Sequence, residues 1–154
     1  MSGLELIRAT PEIAAAMAQA HAGAFPAPWR EDEFEDLLDG EGIYGFIVRD
    51  EDPVGVILCR VAADEMEVLT IGVSPDARRK GVAKALMAAG LAAARQAGAG
   101  ACFLEVAVDN PAAIALYEGL GFARSGLRPA YYDRGPAGFM DAVVMRLDLN
   151  SGDG

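Results

Sequence analysis

The fold is decided by the stretch Ile71-Gly72-Val73-Ser74-Pro75-Asp76-Ala77-Arg78-Arg79-Lys80-Gly81-Val82-Ala83. A β-branched strand ends at Val73, a short turn follows, and the residues Arg78 to Ala83 are expected to open a long Ala-rich helix. The first turn of a helix has unpaired backbone N–H groups and a partial positive charge, so it attracts anions. Glycine and alanine here let a phosphate come close, and three cations stand beside it: Arg78, Arg79 and Lys80. The stretch therefore predicts an anion site suited to a diphosphate.

Two plainer interpretations of the glycine patterns are less satisfactory. A helix that merely begins with basic residues leaves those residues unexplained, because cations at a helix N-terminus oppose the helix dipole. The segment Gly40–Gly45 matches G-x-G-x-x-G to the letter. However, it follows an acidic helix and enters a strand, which is the reverse of a dinucleotide-binding turn. The diphosphate site thus remains the pattern that indicates function.

The composition describes one acidic globular domain. The chain has 154 residues, 53% of them hydrophobic, which suits a single domain with a sizeable core over residues 1–149. Residues 150–154 are expected to form a disordered tail. Lys and Arg number 13 and Asp and Glu number 23, so the formal net charge is −10. This charge excludes nucleic acid as a general partner and favours a basic peptide.

Targeting and metal signals are absent from the sequence. Met1–Thr10 lacks the charged-then-apolar pattern of a signal sequence, and the apolar stretches 85–94 and 97–108 are too short or too interrupted to span a bilayer. We therefore expect a cytoplasmic protein with no membrane partner. Cys59 and Cys102 fall in apparent strands and are expected to be reduced and buried. One histidine and no C-x-x-C pair leave no recognisable metal site.

Hydrophobic periodicity and turn signals predict a mixed α/β fold with the order βααβββαβαββ. The expected strands are Leu4–Arg8, Ile43–Arg49, Val54–Val61, Glu65–Val73, Cys102–Val108, Ala123–Tyr132 and Phe139–Leu149. The expected helices run from Thr10 to about Ala20, over Glu31–Asp39, from the phosphate turn to about Gln96, and from Asn110 through Gly119. This order gives a mixed sheet with helices on both faces.

A second group of polar residues follows in the sequence. Glu105 interrupts an apolar strand, and a buried carboxylate is costly unless it is paired or used in chemistry. The plain alternative is an edge glutamate that reaches water. Tyr117 and Asn110 stand two turns apart on one short helix, so both can face the same groove. Packing alone would also explain Tyr117, and capping would explain Asn110, although a capping residue can still contact a ligand.

Together these motifs resemble the GNAT family of N-acetyltransferases. The spacing Arg78-x-x-Gly81-x-Ala83 after a strand is similar to that family's pyrophosphate loop, written Q/R-x-x-G-x-G/A. The strand glutamate then follows, as does a helix string from Asn110 to Phe122 that is nearly the family's own. The resemblance covers about residues 21–147. It implies a mostly antiparallel sheet that splays between central strands to admit the pantetheine arm of acetyl-coenzyme A.

The resemblance also implies a role for each matching residue. Glu105 would be the general base and Tyr117 the general acid of direct acetyl transfer, with no metal. Residues expected to hold acetyl-coenzyme A are Ile71, Gly72, Val73, Arg78, Arg79, Lys80, Gly81, Val82, Ala83, Lys84 and Asn110. Residues expected near the acceptor are Trp29, Tyr131 and Tyr132, which would flank the peptide groove.

Within the family, the chain is more narrowly similar to enzymes that acetylate the N-terminal alanine of a small-subunit ribosomal protein. This likeness rests on Leu104-Glu105-Val106 and on Arg128-Pro129-Ala130-Tyr131-Tyr132 with Asp141-Ala142 and Met145. It implies a protein N-terminus as the partner and leaves the oligomeric state open. Two departures border the groove: Ala107 stands where arginine is common, and the loop from Phe25 to Trp29 is longer than usual.

Alternatives remain open at the level of sequence. The acceptor could instead be a small amine or a lysine side chain, and a coenzyme A-binding module without turnover is a third reading. The acidic segment 31–41 is either a solvated helix face or a surface that attracts a basic peptide. His21 is expected at the surface or at a helix cap, and Trp29 is expected to be a packing anchor or part of the substrate mouth.

Overall fold

The computed structural model describes residues 4–24, 29–78, 81–133, 136 and 138–149. Within these residues, seven strands form one sheet in the spatial order β1-β2-β3-β4-β5-β7-β6. The strands are β1 (Glu5–Arg8), β2 (Ile43–Asp50), β3 (Asp52–Ala62), β4 (Glu65–Val73), β5 (Ala101–Ala107), β6 (Ala123–Asp133) and β7 (Phe139–Asp148). The helices are α1 (Ala14–Ala24), α2 (Glu31–Leu38), α3 (Val82–Gln96) and α4 (Pro111–Gly119), with 3₁₀ turns at Pro11–Ile13 and Pro75–Ala77.

The element order matches the order predicted from the sequence. All neighbouring strands are antiparallel except β4 and β5, which run parallel, so the mixed, mostly antiparallel sheet is confirmed. The first helix differs from its predicted bounds. Its Pro11–Ile13 turn is 3₁₀, and α1 continues to Ala24 instead of ending near Ala20.

Helices cover the two faces of the sheet with separate cores. On one face, Met17 of α1 and Phe34 of α2 pack with Val56 and Leu58 of β3. On the other face, α3 and α4 pack with Ile57 and Cys59 and with residues of the remaining strands. Because side chains alternate along a strand, β3 contributes to both cores in turn.

Gly55 lets α3 lie directly on the sheet. A Cβ atom at Gly55 would come within 2.6 Å of Val82 Cγ1 and 3.1 Å of Leu86 Cδ1. Real Cβ atoms do not approach other carbons so closely, so a glycine is needed where the first turn of α3 crosses β3. The position of the helix start relative to the strands is therefore fixed by close packing.

Strands β4 and β5 pair over only three residues and then separate. Their register runs from Glu65↔Ala101 to Glu67↔Phe103, and the remainder of β4 has no partner on this side among the described residues. The separation coincides with a bulge: Leu58 of β3 pairs with Thr70 and Cys59 pairs with Val68, so Leu69 is an extra residue. A bulge bends and twists the strand that carries it. The splay implied by the family resemblance is thus present, and the bulge gives it a physical cause.

The two cysteines are buried packing residues, as expected. Both Cys59 and Cys102 are free. Burial raises the pKa of the Cys102 thiol to about 12, and it also raises the pKa of Cys59. Both thiols are therefore protonated near neutral pH. Across the described ranges, no helix is both long and apolar enough to cross a membrane.

Replacing Gly55 with alanine tests the close approach of α3. The added methyl group meets Val82, so Gly55→Ala should lower the free energy of unfolding by about 1–3 kcal/mol, measured by urea denaturation. Gly119→Ala is the matched control, because a Cβ there meets no atom within 4 Å. Equal stability of the two variants would contradict the packing described.

Candidate active site

The separated half of β4 presents an open strand edge. Residues Ile71, Gly72 and Val73 pair with β3 on one side, with Val73 opposite Gly55. On the side of β5 their backbone faces the gap left by the splay. An extended chain inserted there can bond to the free backbone groups as a neighbouring strand would. The three residues predicted to hold the pantetheine arm are therefore on the strand edge that is available to it.

The phosphate loop is arranged differently from the sequence-based expectation. Helix α3 begins at Val82 and not at Arg78, because Gly81 has φ +76 and ψ 13, a left-handed conformation that cannot continue a helix. Arg78 is extended, with φ −67 and ψ 152, and its Nε donates to the carbonyl of Val73 at 3.0 Å. Arg78 thus bonds to the last residue of β4.

The start of α3 still provides the expected anion-binding groups. The N–H of Ala85 bonds to the carbonyl of Gly81 at 3.0 Å. By helix geometry, the N–H groups of Val82, Ala83 and Lys84 then have no acceptor inside the helix. A Cβ at Gly81 would meet nothing within 4 Å, so this backbone is open to a ligand. Arg79 and Lys80, the other two predicted cations, lie outside the described residues.

Glu105 lies in the middle of β5 and is paired with an arginine. Arg128 Nη1 donates to both carboxylate oxygens, at 3.1 Å to Oε1 and 2.9 Å to Oε2. The Glu105 side chain is 19% exposed and that of Arg128 is 54% exposed. The Glu105 carboxylate is therefore partly buried and paired with Arg128, and it is neither a fully exposed edge group nor a fully buried one. In the sequence, Arg128 was part of a stretch that resembles the family. Its contact with Glu105 became visible only in the structure, where β5 and β6 both pair with β7.

Tyr117 is on α4, and Asn110 is the residue directly before that helix. Tyr117 is 7% exposed, and its ring lies edge-on to Phe122 with centroids 6.0 Å apart. Asn110 caps the helix, since its Oδ1 accepts from the N–H of Ala113 at 3.1 Å. Capping, the plain interpretation of Asn110, is confirmed. Its predicted contact with the acyl donor stays a prediction, as does the acid role of Tyr117.

Glu105 and Tyr117 approach from opposite faces of the sheet. Leu104 and Val106, the neighbours of Glu105, belong to the core beneath α3 and α4, so the alternation of β5 points Glu105 to the other face. Tyr117 belongs to that same α3/α4 core. Of the two, Glu105 lies on a strand that borders the gap between β4 and β5.

His21 is a buried residue, and the prediction that it lies at the surface or at a cap was wrong. It is 3% exposed. The N–H of Trp29 donates to Nδ1 at 3.0 Å, and Nε2 lies 3.0 Å from Thr70 Oγ1. The neutral ring accepts at Nδ1, so it carries its proton on Nε2 and donates it to Thr70. Burial lowers the pKa of His21 to about 4, and the nearby Glu33 opposes this effect.

Trp29 packs as an anchor beside the predicted acceptor groove. Its ring stacks on His21 with centroids 5.2 Å apart and lies 5.4 Å from the ring of Phe34. Residues 25–28 of the preceding loop lie outside the described residues, as do the side chains of Tyr131 and Tyr132. Through Thr70, His21 and Trp29, the bulged part of β4 is connected to the chain entering α2.

The acidic side chains of segment 31–41 are exposed on α2 and on the turn after it, except that of Glu33, which is half-buried. Arg30, directly before the helix, bonds to Asp32 at 3.1 Å. Glu33 accepts from the backbone N–H of Arg30 at 2.8 Å and so caps the helix. In the ranges that the structure describes, no cluster of three or more His, Cys, Asp or Glu side chains is close enough to hold a metal ion.

Comparisons with known proteins agree on one family. The model of the acetyltransferase (GNAT) family matches residues 12–122. The chain is 32% identical over 151 residues to the [ribosomal protein bS18]-alanine N-acetyltransferase of Escherichia coli K12, covering 97% of this chain and 99% of that one. The crystal structure of the E. coli ribosomal-protein-S18-alanine N-acetyltransferase superposes with a TM-score of 0.86 at 29% identity, over 98% of this chain and 97% of that one.

A further relative matches over a shorter stretch. An uncharacterized protein of Mycobacterium leprae is 50% identical over 84 residues, which is 54% of this chain. This stretch spans 22% of the length of that relative.

The burial of His21 predicts a specific pH dependence of stability. Its pKa is about 4 in the folded state against 6.5 for an exposed histidine, so the unfolded chain takes up a proton in this interval and the folded chain does not. The free energy of unfolding is therefore fully retained above pH 6.5 and falls as the pH drops from 6.5 to 4, by about 1–3 kcal/mol from this residue.

The matched control is His21→Gln, which removes the titrating group. Urea unfolding across this pH range should show a shallower decline for the variant than for the native protein, whatever its absolute stability. Parallel declines would mean that His21 is not buried as a neutral ring.

Proposed function

This chain belongs to the GNAT acetyltransferase family, and from that premise we propose that it transfers the acetyl group of acetyl-coenzyme A to the N-terminal α-amine of a protein. The enzyme class follows from the family match. The acceptor proposed is an N-terminal alanine, because the relative that matches along nearly its full length is named a ribosomal protein bS18-alanine N-acetyltransferase.

The observation that supports the proposal is that Glu105 and Tyr117 lie on opposite faces of the sheet, and that β5, which carries Glu105, borders the gap that opens after Glu67↔Phe103. Direct transfer needs a base where the amine enters and an acid where the thiolate leaves. A thioester held in the gap has one face toward each residue. This arrangement suits a single displacement without a covalent enzyme intermediate.

The acyl donor fits the open backbone of β4 and α3. The free N–H groups at the start of α3, the room above Gly81 and the chain's cations near this loop suit a diphosphate. The edge of Ile71–Val73 that β5 does not pair suits the amides of the pantetheine arm, which can bond as a strand does, although Arg78 already bonds to the carbonyl of Val73. The N–H of Val73 is placed to polarise the thioester carbonyl, which stabilises the oxyanion that forms there.

The proposed reaction balances with these residues alone. The amine nitrogen attacks the thioester carbon, and Glu105 accepts the proton that the amine loses, directly or through water. The C–S bond breaks as the C–N bond is completed, and Tyr117 gives its proton to the departing thiolate. Both tasks are mild, because the pKa of an α-amine is about 7.7–8.0 and that of a thiol is about 8.5.

The face that carries Glu105 also has space for an acceptor. A concavity of about 200 Å³ lies beside Glu105 and is lined by Arg60, Glu67, Phe103 and Val144 among others. The net charge of −10 would favour basic residues behind the acceptor amine. A small amine or a lysine side chain is the alternative acceptor, and a coenzyme A-binding module without turnover is the alternative class. The presence of both Glu105 and Tyr117 argues against simple binding.

A panel of peptides tests the acceptor directly. Peptides beginning with Ala, Ser or Met and followed by basic residues should be acetylated at the α-amine, with Ala preferred. Raising the salt concentration should weaken the preference for basic residues, because the Debye length is only about 10 Å at 0.1 M salt. Copies with a blocked α-amine and one lysine serve as controls, and equal rates on them would instead support the lysine alternative.

Removing the carboxylate at position 105 tests the base. Glu105→Gln should lower turnover by about 10²-fold, at the low end for general-base catalysts, since an α-amine loses its proton readily. Rates like those of the native enzyme from pH 6 to 9 would show that Glu105 has only a structural role.

Removing the hydroxyl of Tyr117 tests the acid. Tyr117→Phe keeps the ring against Phe122, so the fold should survive while turnover falls by about 10- to 10³-fold. Calorimetric affinity for acetyl-coenzyme A should change little. If affinity drops and turnover stays normal, then Tyr117 is a wall of the donor pocket and another group supplies the proton.

A further inference from the structure

Arg128 is the residue that faces the proposed base across the sheet. It is on β6, while Glu105 is on β5, and both strands pair with β7 between them: Arg128 opposite Ala142, and Glu105 opposite Val144. Ala142 in turn pairs with Ala107. The small side chains at positions 107 and 142 leave room for the Arg128 side chain to cross β7 and reach both oxygens of Glu105.

Two of the other cations near Glu105 are paired with different carboxylates. Arg60 of β3 and Glu67 of β4 form an ion pair at 2.6 Å. Arg146 of β7 pairs with Asp148 at 2.9 Å and lies over the ring of Phe103. Glu65 of β4 lines the same concavity. Among these charges, Arg128 is the cation bonded to the Glu105 carboxylate.

The Arg128–Glu105 ion pair has different effects on protonated and on neutral acceptor amines. An ammonium that approaches Glu105 meets the guanidinium of Arg128 and must compete with it for the carboxylate, and like charges at close range repel. A neutral amine carries no such penalty and can give its proton to a carboxylate that Arg128 holds in place.

We infer that Arg128 is a positioning residue that makes the enzyme select α-amines over lysine ε-amines, an inference that rests on the proposed function. The pKa is about 7.7–8.0 for an α-amine and about 10.4 for lysine. At pH 7.5, about a third of α-amines and only about 0.1% of lysine side chains are neutral. A site that admits only neutral amines therefore favours the α-amine by about 10²-fold or more, before any shape recognition.

The test is a ratio of specificity constants measured on one enzyme preparation. One peptide has a free N-terminal alanine and no lysine, and the other has an acetylated N-terminus and one lysine. At pH 7.5 the native enzyme should favour the first by about 10²-fold or more. Arg128→Gln should reduce this ratio by about 10-fold through a gain of kcat/KM on the lysine peptide, and Arg128→Lys should restore most of it.

Arg124→Gln is the matched control. Arg124 is on the same strand but pairs with Glu118 of α4 at 3.3 Å, so its loss should leave the ratio unchanged. A purely structural role of Arg128 would lower both specificity constants together and leave the ratio as it was, and that result would overturn the inference. A native enzyme that acetylates both peptides equally would instead contradict the proposed function itself.

A measurement on the native enzyme covers the case in which Arg128→Gln does not fold. Two peptides whose α-amines differ in pKa by about one unit are compared from pH 6 to 9. If only the neutral amine is accepted, then the acid limb of kcat/KM should move with the pKa of the acceptor. An acid limb that stays at the same pH for both peptides would overturn the inference.

Discussion

The bulge at Leu69 is the constraint on which the rest of the structure depends. By placing one extra residue in β4, it bends the strand away from β5 just after the pair Glu67↔Phe103. Where a parallel strand pair ends in the centre of a sheet, the backbone N–H and C=O groups beyond it need other hydrogen-bond partners. The separated edge of β4 can therefore bind an extended molecule that carries amide groups of its own. The bulge also turns Thr70 toward His21, which ties the entry to α2 to this same strand.

In the proposed reaction, the two faces of the sheet have different tasks. The α3/α4 face has the helix start at Val82, where a diphosphate can bind, and Tyr117, which can protonate a thiolate. The opposite face has Glu105, Arg128 and the concavity that can receive an amine. In the proposed reaction, each face would receive one substrate, and the two would meet in the gap. Such separation lets donor and acceptor be recognised by different chemistry, a backbone anion site on one side and a paired carboxylate on the other.

Local sequence signals were enough to predict the order of the elements and to name the residues of the candidate site. The strand before Ser74, the glycine at position 81 and the carboxylate within an apolar strand are all visible in short windows of sequence. The splay followed only from family resemblance, since a bulge such as that at Leu69 leaves no clear mark in hydrophobic alternation. His21 was misplaced because α1 is almost entirely small and apolar, so it has no polar face against which burial could be judged. Arg128 could not be connected to Glu105, because the two are 23 residues apart in the chain and meet only through β7.

The central claim is that the gap between β4 and β5 holds the acyl donor. Hydrogen–deuterium exchange of the backbone amides, with and without acetyl-coenzyme A, tests it most directly. The account predicts that the donor slows exchange in residues 68–73 and at the start of α3, while residues 65–67, already paired with β5, change little. Unchanged exchange in residues 68–73 under saturating donor would contradict the account, because the donor would then bind elsewhere.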